Sequence, residues 1–411
     1  MALTLGRVEA STAQLAAAYP WHFGGGFNCP GPVIGKNRTA DGAPFTIDPF
    51  EAVRTGMASN GNVFIAGSPG EGKSAFLKSL LWWLVGVFGR RMLVTDVKGE
   101  YRTLAAALGI PVLELHPGGR SRVNPMDPDV SGGPDARVDF VKALLAIKLN
   151  RRLTSLERTV LTLLIRQIDE RVKEPTLRDL YGALREPPAE LLDELRKTAD
   201  SLLADTEPIR LEVLDLVSGA LGGMFGDRTN VELDASNGLV IDLHGVGDDD
   251  ELMRLALVAG MRVAEIVNRG GAAVPTLVPS DEAWRLGSTI ESQRWQQHRQ
   301  KLGRQRGEVS LTAVHRISDT TAQADDGTAA AKIGAGMFAD CAIHVLFRQG
   351  SRQDAELAQS MTDLPEAVIP LLQNLPQGRA LFHCQGRSAV VDITLSRELR
   401  RLTFTNQAMT G

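Results

Sequence analysis

The period of the hydrophobic positions changes twice along the chain. Between residues 62 and 131, short apolar runs alternate with helix-forming stretches. Asn62–Ala66, Met92–Asp96 and Ile110–Leu115 read as strands, and Ala75–Leu84, free of Gly and Pro, reads as a helix. Apolar runs separated by helices indicate a mainly parallel sheet covered by helices, an α/β fold. From 135 to 222 the pattern turns helical throughout. Val138–Leu149, Thr154–Val172, Thr176–Leu184 and Pro188–Leu203 each carry an apolar stripe opposite charges. Thr154 and Glu157 have capping-box spacing, and Thr176–Asp179 is a second helix start. Strand–helix alternation resumes at Gly238–Leu243. It continues through a helix near 250–269, strands at Thr276–Val278, Val309–Val314 and Ile343–Phe347, a basic helix near 290–303, and helices near 352–373. Arg379–His383 and Ala389–Ile393 read as a closing strand pair.

Residues 1–61 are dense in turn signals such as Cys29–Pro32 and Asp41–Pro44. The organisation expected is a linker segment packing on the core (1–61), the first part of an α/β core (62–134), an all-α insertion lobe (135–222) and the second part of the core (223–411).

Composition narrows the class. The chain has 411 residues, 43% hydrophobic and 23% charged, as in ordinary globular proteins with a large core. A net charge of −4 is no overall nucleic-acid footprint, although local basic patches stay open. Cys29, Cys341 and Cys384 are too scattered for a disulfide framework or a metal site, which fits a reducing cytoplasm. The start of the chain lacks a signal-peptide pattern, and the longest apolar run, Leu80–Phe88, is too short to span a bilayer. The expected location is cytoplasmic, with any membrane association peripheral and through partners.

Residues 67–74, Gly-Ser-Pro-Gly-Glu-Gly-Lys-Ser, complete the phosphate-loop pattern G-x-x-x-x-G-K-[ST]. The pattern sits between a strand and a helix, the context that its physics requires. Gly67, Gly70 and Gly72 let the backbone turn its N–H groups onto phosphate oxygens, and the positive end of the following helix faces the same anion. Pro69, Gly70, Glu71, Gly72, Lys73, Ser74 and Ala75 are therefore the candidate nucleotide contacts. Lys73 reaches the β- and γ-phosphates, and Ser74 ligates Mg²⁺. The implied cofactors are a nucleoside triphosphate and Mg²⁺.

A phosphate loop needs a second acid for the metal and a group that positions the attacking water. Asp281–Glu282 follows an apolar run and suits that split: Asp281 for the metal, Glu282 as base, with a solvated acidic turn as the bland alternative. Pro279–Ser280 interrupt that run, and proline removes a ladder donor, so the strand is expected to end early. Asp96 also ends a strand; it rivals Asp281 for the metal or simply caps the next helix, and Glu100 is ranked with it as a secondary site residue. Arg294–Arg306 holds five basic residues and no acid. A solvated helix face, a nucleic-acid patch and an arginine reaching a neighbouring subunit's site all stand as readings. His315, at a strand end, is either structural or part of the site.

Taken in order, Gly67–Ser74, Asp96–Tyr101, Asn124–Asp127, Val240–Leu243 and Asp281–Trp284 resemble the conjugal-transfer ATPases of type IV secretion systems. The TraC-like class, within the HerA/FtsK group of hexameric motors, is the most similar. The resemblance covers roughly residues 20–400 and implies a RecA-like P-loop core with an all-helical lobe, hydrolysing ATP at the interfaces of a homo-oligomer, hexameric when active. It implies partners in a secretion or conjugation apparatus, with DNA a further candidate. It matches Arg304 to an arginine supplied in trans, with Arg306 as its understudy, and His315 to a polar sensor. Three departures stand out. The sensor is usually Gln; Pro279–Ser280 break the strand; and the family's large N-terminal docking domain has no counterpart, which leaves an excised ATPase domain or a shortened relative.

Three functions follow: an ATPase motor of conjugative or secretory transfer, a HerA/FtsK-like DNA translocase, and a non-catalytic scaffold gated by nucleotide.

Overall fold

The computed structural model describes residues 27, 29–119, 121–131, 133–219, 221–230, 238–247, 249–270, 274–280, 303, 307–317 and 338–403. Its strands are β1 (Val33–Asn37), β2 (Ala43–Thr46), β3 (Val63–Ala66), β4 (Arg91–Asp96), β5 (Val112–Glu114), β6 (Gly238–Asp242), β7 (Thr276–Ser280), β8 (Glu308–Val314), β9 (Ile343–Leu346), β10 (Arg379–Cys384) and β11 (Arg387–Ile393). Among the described residues they form one sheet in the order β2-β1-β11-β10-β9-β3-β8-β7-β4-β6-β5. The seven strands from β9 to β5 are parallel, and β10, β11, β1 and β2 extend the sheet antiparallel.

Helices cover both faces, which is why β3, β6 and β9 are buried at every residue. The chief covering helices of the core are α1 (Pro49–Arg54), α2 (Lys73–Gly86) and α3 (Arg102–Leu108), then, beyond the helical lobe, one at Asp250–Gly270, Arg352–Thr362, Val368–Asn374 and Arg397–Thr403. Alternation along β3 divides the core. Val63 and Ile65 pack with Phe76, Leu77 and Leu80 of α2, whereas Phe64 and Ala66 pack with Ala355, Ala358 and Leu372 on the other face.

The stretch from 134 to 218 is helical, with α4 (Pro134–Lys148), α5 (Ser155–Arg171), α6 (Leu177–Arg185), α7 (Ala189–Leu195) and α8 (Ala199–Ser218). Thr154 and Glu157 form a reciprocal capping box at α5, and Thr176 with Asp179 another at α6. Lys148 pairs within this lobe with Asp215 of α8 at 2.7 Å and ties the lobe to the Asp250–Gly270 helix, hereafter α9, through Glu251 at 2.6 Å. Cys29, Cys341 and Cys384 are buried, and burial pushes the Cys29 and Cys384 thiols up to about 11.

Three expectations change. The helix read over Pro188–Leu203 is two helices, because Arg196 takes a left-handed φ of 53° and the Thr198 hydroxyl caps α8 by accepting the Ser201 N–H. The linker segment contributes β1 and β2 to the sheet, the Asp41–Pro44 turn signal marking their hairpin. Finally, β7 does not stop before Pro279 but pairs with β8 through Ser280↔Thr312. The Thr276 N–H points to Gly307 on the β8 side, so alternation turns the Pro279 nitrogen toward β4. Pairing with β4 has already ended at Leu277, so the missing donor removes no ladder bond there.

Candidate functional site

The loop from β3 to α2 has the conformation that its glycines allow. Gly70 (φ 80°) and Gly72 (φ 105°) take left-handed backbone. At Gly67 a Cβ would lie 2.6 Å from the Phe347 Cβ, so the close approach of the following β9 segment demands glycine. Gly72 caps α2 without a side-chain hydrogen bond, which leaves the first-turn amides of the helix to an external acceptor. Lys73 is buried, and its Nζ donates to the carbonyl oxygens of Gly67 and, at 2.9 Å, Ser68.

Strand register assembles the rest. Ala66 pairs with Val314, so Gly67 and His315 follow directly at the C-terminal ends of neighbouring parallel strands in the middle of the sheet. Lys73, Ser74, Asp96, Lys98, Glu100 and His315 line a single cleft there. The structure thus brings His315 and both secondary acids to the phosphate loop. Asp96 accepts N–H groups from Lys98 (3.1 Å) and Tyr101 (2.7 Å), which is the turn-capping arrangement. Burial pushes its carboxyl above the ordinary range; those backbone bonds pull the other way, and neighbouring Asp242 pushes it further up. Glu100 is 2.9 Å from the Nζ of Lys78, a fully buried residue of α2 whose ammonium also lies 5.4 Å from the Tyr101 ring centre. Lys78 carried no sequence signal beyond a charge inside an apolar helix.

Asp281, Glu282, Arg304 and Arg306 lie outside the described residues. Ser280, before Asp281, and Gly307, after Arg306, do not. β7 ends at Ser280, directly before Asp281, and is separated from β3 by β8 alone.

A second group missed by sequence reading braces the loop from the C-terminal half. The Ser68 N–H donates to the Arg348 carbonyl at 2.9 Å, and the Gly378 N–H to the Glu71 carbonyl at 3.0 Å. Gln377 Nε2 donates to the Gly70 carbonyl at 2.6 Å, and Arg348 Nε to Glu71 Oε1 at 2.9 Å. The available signal was the carboxylate in an anion-binding loop, which calls for a counter-charge but does not say from where.

An uncapped helix N-terminus, left-handed glycines, a lysine and a serine in the first turn, and acids across the cleft form a donor set suited to a phosphate chain with a hard divalent cation.

Residues 33–221, somewhat less than half of the chain, match the protein family described as "Helicase HerA, central domain". No curated protein matches the sequence. Among solved structures, VirB4 of Thermoanaerobacter pseudethanolicus is similar with a TM-score of 0.74 and 21% identity, over 91% of this chain and 99% of that one. The plasmid coupling protein TrwB in complex with ADP and Mg²⁺ is similar with a TM-score of 0.58 and 16% identity, over 82% of this chain and 86% of that one. The resemblance drawn from the sequence motifs is borne out. The chain has the fold of VirB4 and TrwB, a mostly parallel sheet with flanking helices, and its residues 33–221 match the HerA central domain. Among the described residues, no helix is long and apolar enough to cross a membrane.

Proposed function

We propose that the chain is a Mg²⁺-dependent ATPase working as an oligomeric motor, hexameric when active, that powers conjugative or type IV secretory transfer. The observation that carries this reading is the cleft that joins Lys73 and Ser74 to Asp96, Glu100 and His315 at the C-terminal ends of the parallel strands, with β7 leading into Asp281. VirB4 and TrwB share the fold, and TrwB is known with ADP and Mg²⁺ bound.

In this reading the loop amides of residues 69–75 and Lys73 hold the phosphates. Ser74 and Asp281 hold the cation, which when bound neutralises charge on the phosphate oxygens. Glu282 takes the proton of the attacking water, and His315 orients that water from the end of β8. Arg304 reaches the site of a neighbouring subunit and balances charge there. Its partners are other copies of itself and proteins of a secretion or conjugation apparatus.

The test is the ATPase rate per subunit against protein concentration, with and without DNA. A rate that climbs with concentration supports shared sites; a flat rate over the range in which assembly occurs counts against them. A DNA translocase is the second reading, favoured by the HerA match over residues 33–221, and stimulation by DNA would select it.

A further inference from the structure

The phosphate-binding loop contains a carboxylate. Glu71 stands between Gly70 and Gly72, immediately before Lys73, and is 4% exposed. A buried carboxylate in an anion-binding loop opposes its own ligand unless a cation offsets it. Arg348, in the segment after β9, is that cation. Its Nε lies 2.9 Å from Glu71 Oε1, and its Nη2 bonds the same oxygen. Glu71 Oε2 is buried and has no hydrogen-bond partner among the described residues, so the carboxylate depends heavily on this one pair.

Arg348 is well held for the task. Its carbonyl accepts the Ser68 N–H at 2.9 Å, and the preceding Phe347 closes against Gly67. One residue therefore touches the loop twice, by main chain at Ser68 and by guanidinium at Glu71. The Arg348 side chain is 51% exposed and fills no core space, so its contribution is charge more than packing.

We propose that Arg348 is a positioning residue for phosphate binding, which neutralises Glu71 and so keeps the loop attractive to an anion. This rests on the reading of the loop as a nucleotide site, and it adds a functional residue 277 positions away from the motif. Charge compensation differs from shape support in one respect. If Arg348 acts by cancelling Glu71, its loss matters only while Glu71 is charged.

The experiment is equilibrium binding of fluorescent ADP with Mg²⁺ to the full chain. Five proteins are compared: wild type, Arg348→Ala, Arg348→Lys, Glu71→Gln, and Arg348→Ala combined with Glu71→Gln, the last referenced to Glu71→Gln alone. Arg348→Ala is expected to weaken binding by about tenfold or more, and Arg348→Lys by less than about threefold, because lysine keeps the charge. In the Glu71→Gln background the same Arg348→Ala change is expected to cost less than about threefold. Wild-type affinity in Arg348→Ala overturns the proposal. So does an equal loss in both backgrounds, which would assign Arg348 to loop shape. If Arg348→Ala does not melt cooperatively, the Arg348→Lys and double-variant arms decide: a tenfold loss in either overturns it. A wild-type protein that binds no ADP, or a Lys73→Ala variant that binds as well as wild type, instead overturns the nucleotide reading itself.

Discussion

The ammonium of Lys78, fully buried on α2, lies 2.9 Å from the Glu100 carboxylate, so the phosphate-loop helix and the turn after β4 are joined by a charge pair beneath the cleft. The partners differ in exposure: the Lys78 side chain is inaccessible, whereas that of Glu100 is 26% exposed. Removing the lysine leaves an acid that water can reach; neutralising the acid leaves a buried cation without its counter-charge. Glu100→Gln is therefore expected to destabilise by about 3 kcal/mol and Lys78→Met by less, about 1–2 kcal/mol. Urea unfolding of the two variants checks the order, and a larger loss for Lys78→Met would refute the argument.

Lys73 holds no apolar core together, and its Nζ bonds loop carbonyls. Lys73→Ala is expected to abolish nucleotide binding and hydrolysis while moving the melting temperature by only a few degrees, corresponding to about 1 kcal/mol or less. Calorimetric titration with ATP beside a thermal melt measures both. Turnover that survives in Lys73→Ala would remove the phosphate-loop argument.

Glu282→Gln is expected to keep ATP binding and stall hydrolysis by about a hundredfold or more, the usual scale for a general base. Normal turnover would shift the base elsewhere in the cleft, with Glu100 the first alternative. Arg304→Ala is expected to stall hydrolysis too, but from the neighbouring site. Mixing Arg304→Ala subunits with Glu282→Gln subunits should then recover part of the activity through interfaces that carry one intact copy of each. Mixtures shown to co-assemble yet inactive would argue against an arginine in trans.

His344 on β9 is stacked on Phe338 at 4.2 Å and lies 6.2 Å from the ring of His383, its partner across β9 and β10. Burial pushes its pKa down to about 4, and the neighbouring His383, itself lowered by burial, adds to that. The folded value is below the unfolded one, so the unfolded chain takes up the proton first. Stability from this group is level above about pH 6.5 and falls as pH drops toward 4, by about 2–3 kcal/mol at pH 4.5. His344→Phe should flatten that part of the pH profile of unfolding free energy. An unchanged profile would mean that other groups set the acid limb.

Legibility followed the range of the interactions. Most strands and helices of the parallel core were readable because each is specified by its own apolar run. β1 and β2 were not, because at Val33–Asn37 and Ala43–Thr46 turn residues crowd the pattern, and the strands form by β1 adding to β11 and β2 to β1. Pro279 misled for the opposite reason. Its local penalty is real, but in the sheet its nitrogen faces the side on which β4 has already parted.

The sequence by itself determined the phosphate loop. Tight glycine turns, a lysine and serine opening a helix, and an apolar strand before them are short-range requirements, written into the consecutive residues Val63–Ser74. Only the tertiary structure decided what the loop faces. Inserting β8 between β3 and β7 sets His315 beside Gly67, and the parallel pairing that does so depends on hydrophobic burial across the whole sheet. The link from Glu71 to Arg348 belongs to the same class: a buried charge demands an opposite one, but which residue supplies it depends on where β9 runs.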